Sequence, residues 1–284
     1  MPPTEGLVLG LIGDPVAHSL SPRMQEAAFR TLGLAAEYRT VRVPADRPRE
    51  VGRAMRALAA SGGGNVTLPH KETAAAALDV ASDDVHATGA CNCFWADGAA
   101  RLCGDNTDVG GIGLALDELT GLRLDGARVL VLGAGGAARA AVVACARGGA
   151  RRIEVRNRTA GRARALVTAL ADRAGGTAEL LAVPSGAPLA TLDLVVQATS
   201  LGLSAGDPLP LDPGGHAIGS ALDLVYAPGG TAWVRRAREA GIETVDGRRV
   251  LLHQGTLSLA RWLGVDPGAE TIEAMERALA EESS

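Results

Sequence analysis

Apolar and polar positions in the first third of the chain alternate between strand-like and helix-like patterns. The predicted elements are strands at residues 7–12, 37–43 and 65–67, and helices at 21–32 and 46–60. Ser21 suits the N-cap of the first helix, with Pro22 at its first helical position. Strands that alternate with helices predict an α/β domain with a mostly parallel sheet.

The rest of the chain continues this alternation after a hairpin. Residues 90–104 fit a β-hairpin that turns at Asp97-Gly98. The later predicted elements are a linking helix at 109–121, a helix at 160–174, strands at 127–132, 151–157, 177–183, 192–198 and 217–225, and two C-terminal helices within 248–281. The run at 127–132 is almost wholly apolar, which is typical of a strand buried in a parallel sheet.

Charge and composition exclude several classes of protein. The 284 residues carry a net charge of −4 and a pI near 5.8, so we expect no nucleic-acid or membrane-surface binding. No apolar run approaches the roughly 18 residues of a membrane helix, and Met1–Glu5 shows no basic patch before an apolar stretch. We therefore expect a cytoplasmic protein, a monomer or homodimer, that binds small molecules.

Rare residue types single out a few positions. Lys71 is the one lysine among 28 basic residues, and the asparagines are Asn65, Asn92, Asn106 and Asn157. The four cysteines include a C-x-C pair without a matching second pair, which is poor spacing for zinc. We expect no metal site, and reduced, mostly buried thiols.

A glycine-rich turn follows the apolar strand at 127–132. Residues 133–138 read GAGGAA and match G-x-G-x-x-G/A between a strand and a helix, the context in which this motif holds a dinucleotide pyrophosphate. A purely structural glycine turn is the alternative.

The tip of the next strand decides between NAD and NADP. Glu154 has the spacing of a ribose-binding acid but lies inside the strand, whereas Asn157-Arg158-Thr159 and Arg162 follow the tip. Arginines at this position suit the 2′-phosphate of NADP. The alternative is that Arg158 and Arg162 are ordinary surface charges.

Four short polar clusters lie in the first domain. They occupy residues 18–22, 65–71, 89–92 and 104–108, and each is expected to follow a strand-like run. Ligands of open α/β sheets bind at the carboxyl ends of the strands. Three of the four asparagines and the only lysine fall in these clusters, so we expect a substrate site there.

At these residues the sequence resembles the shikimate dehydrogenase family, which includes quinate dehydrogenases. The motifs that carry the resemblance are GDPVAHSLSP, NVTLPHK, GACN, GDNTD, GAGGAARA, NRT, DLVYAP and the region of Gln254, in order from about residue 10 to 264. The resemblance implies NADP-dependent interconversion of shikimate and 3-dehydroshikimate in aromatic amino acid biosynthesis. It also implies two α/β domains: a substrate-binding catalytic domain of residues 1–109 completed by 248–284, and a Rossmann-like NADP-binding domain of 110–247.

The resemblance also assigns site residues. Lys71 and Asp108 would be catalytic, and Ser19 and Ser21 would bind the substrate carboxylate. The residues expected around the ring hydroxyls are Thr67, Lys71, Asn92, Asp108 and Gln254, with Tyr226 nearby. The residues expected at the cofactor are Gly133, Ala134, Gly135, Gly136, Ala137, Asn157, Arg158, Thr159 and Arg162, with Leu224 and Gly247 near the nicotinamide and Asp83 near the cleft.

The chemistry of the residues agrees with this assignment. An amine can take the proton of a secondary alcohol, whereas a guanidinium stays protonated. Asp108 could orient Lys71 and share a hydrogen bond with the same hydroxyl. Ser21 could also cap a helix, whereas Ser19 has no such structural reason to be a serine. We interpret Asn65 and Asn106 as turn-forming residues without substrate contact.

Some positions depart from the family pattern. Gln25-Glu26 replaces His-Asn, Cys91 and Cys93 flank Asn92 in place of Val and Thr, and Gln197 replaces an Asn. A paralogue that acts on quinate or on an amino analogue of shikimate therefore remains open. Members that accept quinate tend to have Thr at the position of Ser21. A non-catalytic NADP-binding regulator is an alternative of another class, but it would be free to lose Lys71 or Asp108.

Overall fold

A computed structural model of the chain describes residues 5–119, 121–204 and 206–280. They form two compact units. The first holds the described residues up to Thr107 and from Leu251 onward, and the second holds those between Asp108 and Val250. No helix among the described residues is long and apolar enough to cross a membrane.

The N-terminal part of the first unit alternates strands and helices, as the sequence predicts. Its elements are β1 (Glu5–Gly13), α1 (Ser21–Thr31), β2 (Ala35–Arg42), a 3-10 turn (Pro48–Glu50), α2 (Val51–Ala59), β3 (Gly62–Val66), α3 (Lys71–Ala76), β4 (Val80–Ala81), α4 (Asp83–Thr88), β5 (Cys93–Ala96) and β6 (Leu102–Asp105). The sheet has the order β2-β1-β3-β5-β6-β4. The predicted hairpin is confirmed: β5 and β6 pair antiparallel, β5 also pairs antiparallel with β3, and the other pairings are parallel.

The second unit is built on an all-parallel sheet. Its elements are α5 (Thr107–Leu116), β7 (Arg128–Leu132), α6 (Gly136–Arg147), β8 (Arg152–Arg156), α7 (Ala160–Leu170), β9 (Glu179–Ala182), β10 (Leu192–Gln197), a 3-10 turn (Pro213–Gly215), β11 (Ile218–Asp223), α8 (Ala232–Glu239) and β12 (Glu243–Val245). The sheet order is β12-β11-β10-β7-β8-β9. The apolar run predicted to be a buried strand is β7, and Val129, Leu130 and Val131 have no exposed surface.

The predicted elements do not include α3, β4 and α4 of the first unit or α8 and β12 of the second. Among these, α8 is the longest helix. The helix is short and carries Arg235, Arg236 and Arg238, so its apolar face is narrow. A start signal was nevertheless present, because the hydroxyl of Thr231 accepts from the backbone N–H of Val234 at 3.1 Å.

Two C-terminal helices complete the first unit. They are α9 (Gly247–Leu263) and α10 (Ala269–Ala280), separated near 264–267 as predicted. They share a core with α1 and β2, whose largest members include Met24, Phe29, Tyr38, Trp262 and Met275. The two units divide inside α5 and inside α9. These divisions lie two and three residues, respectively, from the domain limits expected from the sequence.

Candidate active site

The polar clusters of the first unit lie at two kinds of position relative to the strands. Residues 18–22 and 65–71 extend beyond the carboxyl ends of β1 and β3. The expectation that every cluster follows a strand is wrong for 89–92, which lies between α4 and β5. Because β5 runs antiparallel to β3 and β6, its amino end meets their carboxyl ends, and Cys93 pairs with both Asn65 and Asp105. Asn92 therefore still reaches the predicted edge.

Ser19 and Ser21 lie together at the amino end of α1. Their hydroxyl oxygens are 3.2 Å apart, and Ser19 Oγ also accepts from the backbone N–H of Ser21 at 3.2 Å. The N-cap residue is Leu20, and Ser21 is already helical. The prediction of Ser21 as N-cap is thus wrong. The argument that Ser19 lacks a structural role is wrong too, because its hydroxyl satisfies an N–H of the first turn that has no partner within the helix.

Lys71 and Asp108 each lie at the beginning of a helix. Lys71 is the first residue of α3 and is half-buried. Its carbonyl accepts from the N–H of Cys91 at 2.8 Å, which joins this helix to the segment that carries Asn92. Asp108 is buried in the first turn of α5. Thr67 is half-buried, and its N–H donates to the carbonyl of Ile12 at 2.8 Å.

Asn92 and Gln254 come together within the first unit although they are far apart in the sequence. The Asn92 Oδ1 accepts from the N–H of Thr107 at 2.7 Å, and its Nδ2 lies 3.3 Å from Gln254 Oε1. Gln254, in α9, also donates to the carbonyl of Leu251 at 2.9 Å. Both residues are buried, and both side chains are fixed by hydrogen bonds.

The two asparagines interpreted as turn-forming residues are buried hydrogen-bonding residues. Asn106 Nδ2 donates to Thr88 Oγ1 at 2.9 Å and to the Ala90 carbonyl at 3.0 Å. Asn65 lies within β3, not in a turn, and bonds Tyr38, Asn92 and Ser258. The turn interpretation of Asn65 is therefore wrong.

The glycine turn of the second unit combines a close contact with an open space. Gly133 has a φ of +120°, and a Cβ there would lie 2.6 Å from the carbonyl oxygen of Ala198. Gly135 precedes α6, and a Cβ there would meet nothing within 4 Å. No side chain caps α6, so its first N–H groups are available to an anion. Ala134, Gly136 and Ala137 are half-buried around this turn.

The strand tip beside this turn is cationic. Glu154 is buried, and its Oε1 lies 2.8 Å from Arg152 Nε and 3.6 Å from Arg128 Nη2. Glu154 is thus committed to structural ion pairs. The residues beyond the tip are Asn157, whose Nδ2 donates to the Thr159 carbonyl at 3.0 Å, and the exposed Arg158, Thr159 and Arg162.

Sequence reasoning missed a third arginine at this tip. Arg156 is buried, and its Nη2 donates to the carbonyl of Ala187 at 2.8 Å. Burial lowers the pKa of its guanidinium. The available signal was an arginine as the last residue of a strand beside the glycine turn.

Leu224 and Gly247, both expected near the nicotinamide, lie against each other. A Cβ on Gly247 would be 2.6 Å from the Leu224 carbonyl oxygen, so only glycine fits. Asp223 precedes Leu224, is fully buried, and accepts from Val225 N at 2.9 Å and Thr231 Oγ1 at 2.6 Å. Burial, with a smaller contribution from Asp246, raises the pKa of Asp223 to about 6.

Two further predicted residues are exposed to different degrees. Tyr226 is half-buried in the loop after β11. Asp83 is exposed in the first turn of α4. Asp83 belongs to the first unit, whereas Leu224 and Gly247 belong to the second.

All four cysteines are buried, in line with the expectation, and none forms a disulfide. Burial raises the pKa of the Cys145 thiol to about 12 and that of Cys93 well above its ordinary value. The thiols of Cys93 and Cys145 therefore stay protonated and unreactive.

Comparison with known proteins identifies the family. The shikimate dehydrogenase substrate binding domain matches residues 11–94, and the shikimate / quinate 5-dehydrogenase model matches residues 114–203. A shikimate dehydrogenase (NADP(+)) of Rubrobacter xylanophilus is 42% identical over 283 residues, which cover 98% of this chain and 97% of that protein.

Solved structures agree over the same length. The shikimate dehydrogenase of Aquifex aeolicus has a TM-score of 0.81 at 29% identity, over 96% of this chain and 97% of that one. The shikimate 5-dehydrogenase of Thermus thermophilus, solved in complex with NADP(H) and shikimate, has a TM-score of 0.76 at 35% identity, over 96% and 98%. The resemblance seen in the motifs is confirmed: the chain belongs to the shikimate dehydrogenase family.

Proposed function

We propose that this chain interconverts 3-dehydroshikimate and shikimate, with NADP as the redox cofactor, in the shikimate pathway of aromatic amino acid biosynthesis. The observation that carries the proposal is the identity of 42% over almost the whole chain with a relative named shikimate dehydrogenase (NADP(+)). The retention of both Lys71 and Asp108 favours an enzyme over a regulator that only binds NADP.

Lys71 and Asp108 are assigned to proton transfer. Oxidation of a secondary alcohol needs a group that accepts the hydroxyl proton, and a lysine amine can do so. Asp108 is the partner that orients the amine and hydrogen-bonds the same hydroxyl. When bound, NADP supplies the hydride acceptor or donor. Among the lysine and arginine side chains of this chain, Lys71 alone can exchange a proton, because all the others are arginines.

The polar side chains of the first unit are assigned to the substrate. Ser19 and Ser21 present two hydroxyls 3.2 Å apart at the amino end of an 11-residue helix, where the helix dipole favours a carboxylate. Thr67, Asn92 and Gln254 are assigned to the ring hydroxyls, and so is Tyr226, which belongs to the second unit. A polyhydroxylated ring needs several such directional partners to fix its orientation.

The glycine turn and the strand tip of the second unit are assigned to NADP. The open space at Gly135 and the uncapped start of α6 suit a pyrophosphate. The exposed Arg158 and Arg162, with Asn157 and Thr159, suit a 2′-phosphate. Leu224, Gly247 and Asp83 complete the proposed cofactor residues. The first unit is therefore the proposed substrate domain and the second the proposed NADP domain, in a cytoplasmic monomer or homodimer.

The proposal is tested by mixing purified protein with NADP and shikimate and following NADPH absorbance. Quinate and NAD are run in parallel as alternative substrate and cofactor. We expect NADPH to form from shikimate, faster than from quinate, and NAD to support much slower turnover. Faster turnover of quinate would identify the paralogue, and NADP binding without any turnover would identify a regulator.

A further inference from the structure

A chain of buried side-chain hydrogen bonds connects Tyr38 to Asn92 inside the first unit. Tyr38 OH lies 2.7 Å from Asn65 Oδ1, and Asn65 Nδ2 lies 2.9 Å from Ser258 Oγ. Ser258 Oγ lies 3.0 Å from Thr107 Oγ1, which lies 3.1 Å from Asn92 Oδ1. All five side chains are buried. The network thereby joins β2, β3, the segment before β5, the start of α5 and helix α9.

Backbone groups fix the orientation of both amides. A carbonyl can only accept, so Asn65 must direct its Nδ2 to the Asn92 carbonyl 2.9 Å away and its Oδ1 to Tyr38. Tyr38 is therefore the donor of that bond. An N–H can only donate, so Asn92 must direct its Oδ1 to the N–H of Thr107.

The hydroxyls of Ser258 and Thr107 complete the network. The second hydrogen of Asn65 Nδ2 goes to Ser258 Oγ, and Ser258 Oγ lies 3.0 Å from Thr107 Oγ1 in a bond in which either hydroxyl can donate. Thr107 Oγ1 lies 3.1 Å from Asn92 Oδ1 and 3.0 Å from Asn92 Nδ2, so it contacts both ends of the amide.

We propose that Tyr38, Asn65 and Ser258 are positioning residues that fix the Asn92 amide, and through it Gln254, at the proposed substrate site. The side-chain oxygen of Asn92, Oδ1, accepts from the N–H of Thr107 at 2.7 Å and lies 3.1 Å from Thr107 Oγ1, so it cannot turn toward a ligand without breaking these contacts. Its Nδ2 lies 3.0 Å from Thr107 Oγ1 and 3.3 Å from Gln254 Oε1, so the amide is held at both ends. This inference rests on the proposed assignment of Asn92 to the substrate.

The position of Ser258 in α9 adds a second consequence. Ser258 lies four residues after Gln254, so both side chains lie on the same face of the helix. The bond from Asn65 to Ser258 therefore sets where Gln254 lies relative to β3. One network fixes both Asn92 and Gln254.

The test is a double-mutant cycle between Ser258 and Asn92. Ser258→Ala should lower kcat/KM for shikimate about tenfold, the usual effect of losing one buried hydrogen bond, while the KM for NADP stays within about twofold. In an Asn92→Ala background, Ser258→Ala should lower kcat/KM clearly less than tenfold, because the part of its effect that passes through Asn92 is already lost and only the part that passes through Gln254 remains. Losses that multiply in full would overturn the inference.

Control variants separate positioning from folding. Thr256→Val alters a hydroxyl of the same helix that bonds only the Leu252 carbonyl and the Met275 sulfur, so kcat/KM should stay within about twofold. Tyr38→Phe removes only a hydroxyl at the far end of the chain of bonds and should lower kcat/KM about threefold, with a smaller effect in the Asn92→Ala background. If Ser258→Ala does not fold, this second cycle decides the question.

One outcome distinguishes the inference from the proposed function. If Asn92→Ala alone leaves kcat/KM for shikimate unchanged, both the assignment of Asn92 and the positioning role are wrong. If Asn92→Ala is strongly impaired but Ser258→Ala and Tyr38→Phe act independently of it, only the positioning role is wrong.

Discussion

The two units present their candidate ligand-binding groups in contrasting ways. In the first unit Asn92, Thr107 and Ser258 are buried and hydrogen-bonded to one another. In the second unit the groups are backbone N–H donors at a glycine turn and two exposed arginines, Arg158 and Arg162. The first arrangement is a set of buried side chains that hold one another by hydrogen bonds, and the second is a set of backbone donors and exposed cations.

The difference matches the ligands that we assign to each unit. A ring with several hydroxyls is recognised by the direction of each hydrogen bond, so its partners have to be held in place. A phosphate is recognised by charge and by N–H groups, which tolerate small displacements. Substitutions in the first unit should therefore be coupled to one another, whereas those in the second should be nearly additive.

The largest expected effect concerns Asp108. Asp108→Asn should lower turnover by about 10²- to 10⁴-fold, because the amide can no longer act as the anionic partner of a proton-transferring lysine. The double variant Lys71→Arg with Asp108→Asn should lose less than the product of the two single losses, since the pair acts as a unit. Steady-state kinetics with shikimate measures all three. A loss of turnover in the double variant equal to the product of the two single losses would contradict the pairing.

A thermodynamic prediction concerns Asp223 in the second unit. Its native pKa of about 6 exceeds an unfolded value of about 3.8, so the native state binds the proton more tightly. Its contribution to the free energy of unfolding is complete below pH 3.8 and is lost as the pH rises through 6, about 3 kcal/mol in all. Asp223→Asn should therefore gain stability relative to the parent between pH 4 and 7, as urea unfolding would show.

Asp212→Asn is the matched control for Asp223→Asn. The side chain of Asp212 is largely exposed, and its hydrogen bond from Arg236 lowers the pKa of the carboxyl. The contribution of Asp212 to the free energy of unfolding therefore has the opposite pH dependence. It is present at neutral pH and is lost as the pH falls. If both variants change the pH profile of stability in the same direction, burial does not determine the behaviour of Asp223.

A smaller effect is expected at the strand tip. Arg158→Ala should raise the KM for NADP roughly ten- to a hundredfold, the loss of about 1.5–3 kcal/mol for one charge-assisted bond, and leave that for NAD nearly unchanged. Arg164→Ala, an exposed arginine further along α7, should change neither. Equal weakening of both cofactors by Arg158→Ala would contradict the phosphate assignment.

The smallest expected effect is on substrate choice. The parent should prefer shikimate to quinate, which carries an extra hydroxyl on the carbon that bears the carboxylate. Ser21→Thr should narrow that preference, because it adds a methyl group beside the carboxylate-binding hydroxyls at a buried position. The ratio of kcat/KM for the two acids measures this effect. Comparable kcat/KM values of the parent enzyme for the two acids would show that Ser21 does not determine substrate specificity.

The sequence predicted the elements better than the contacts. Lys71, Asn92 and the glycine turn were recognisable because rare residue types and a spaced motif mark them. The network around Asn92 was not, because Asn65 and Ser258 are separated by 193 positions and meet only through the packing of α9 on the sheet. The role of Ser19 at the start of α1 was missed for a related reason: the residue at which a helix begins depends on the tertiary packing around it as well as on propensity.

The central claim is that Lys71 exchanges a proton with the substrate instead of only supplying a positive charge. The most direct measurement is the turnover number of Lys71→Arg with shikimate at saturating NADP. An arginine keeps the charge but stays protonated, with a pKa above about 12. We expect turnover to fall by about 10²- to 10⁴-fold while NADP binding is retained. A Lys71→Arg enzyme whose turnover stays within a few-fold of the parent would contradict the claim.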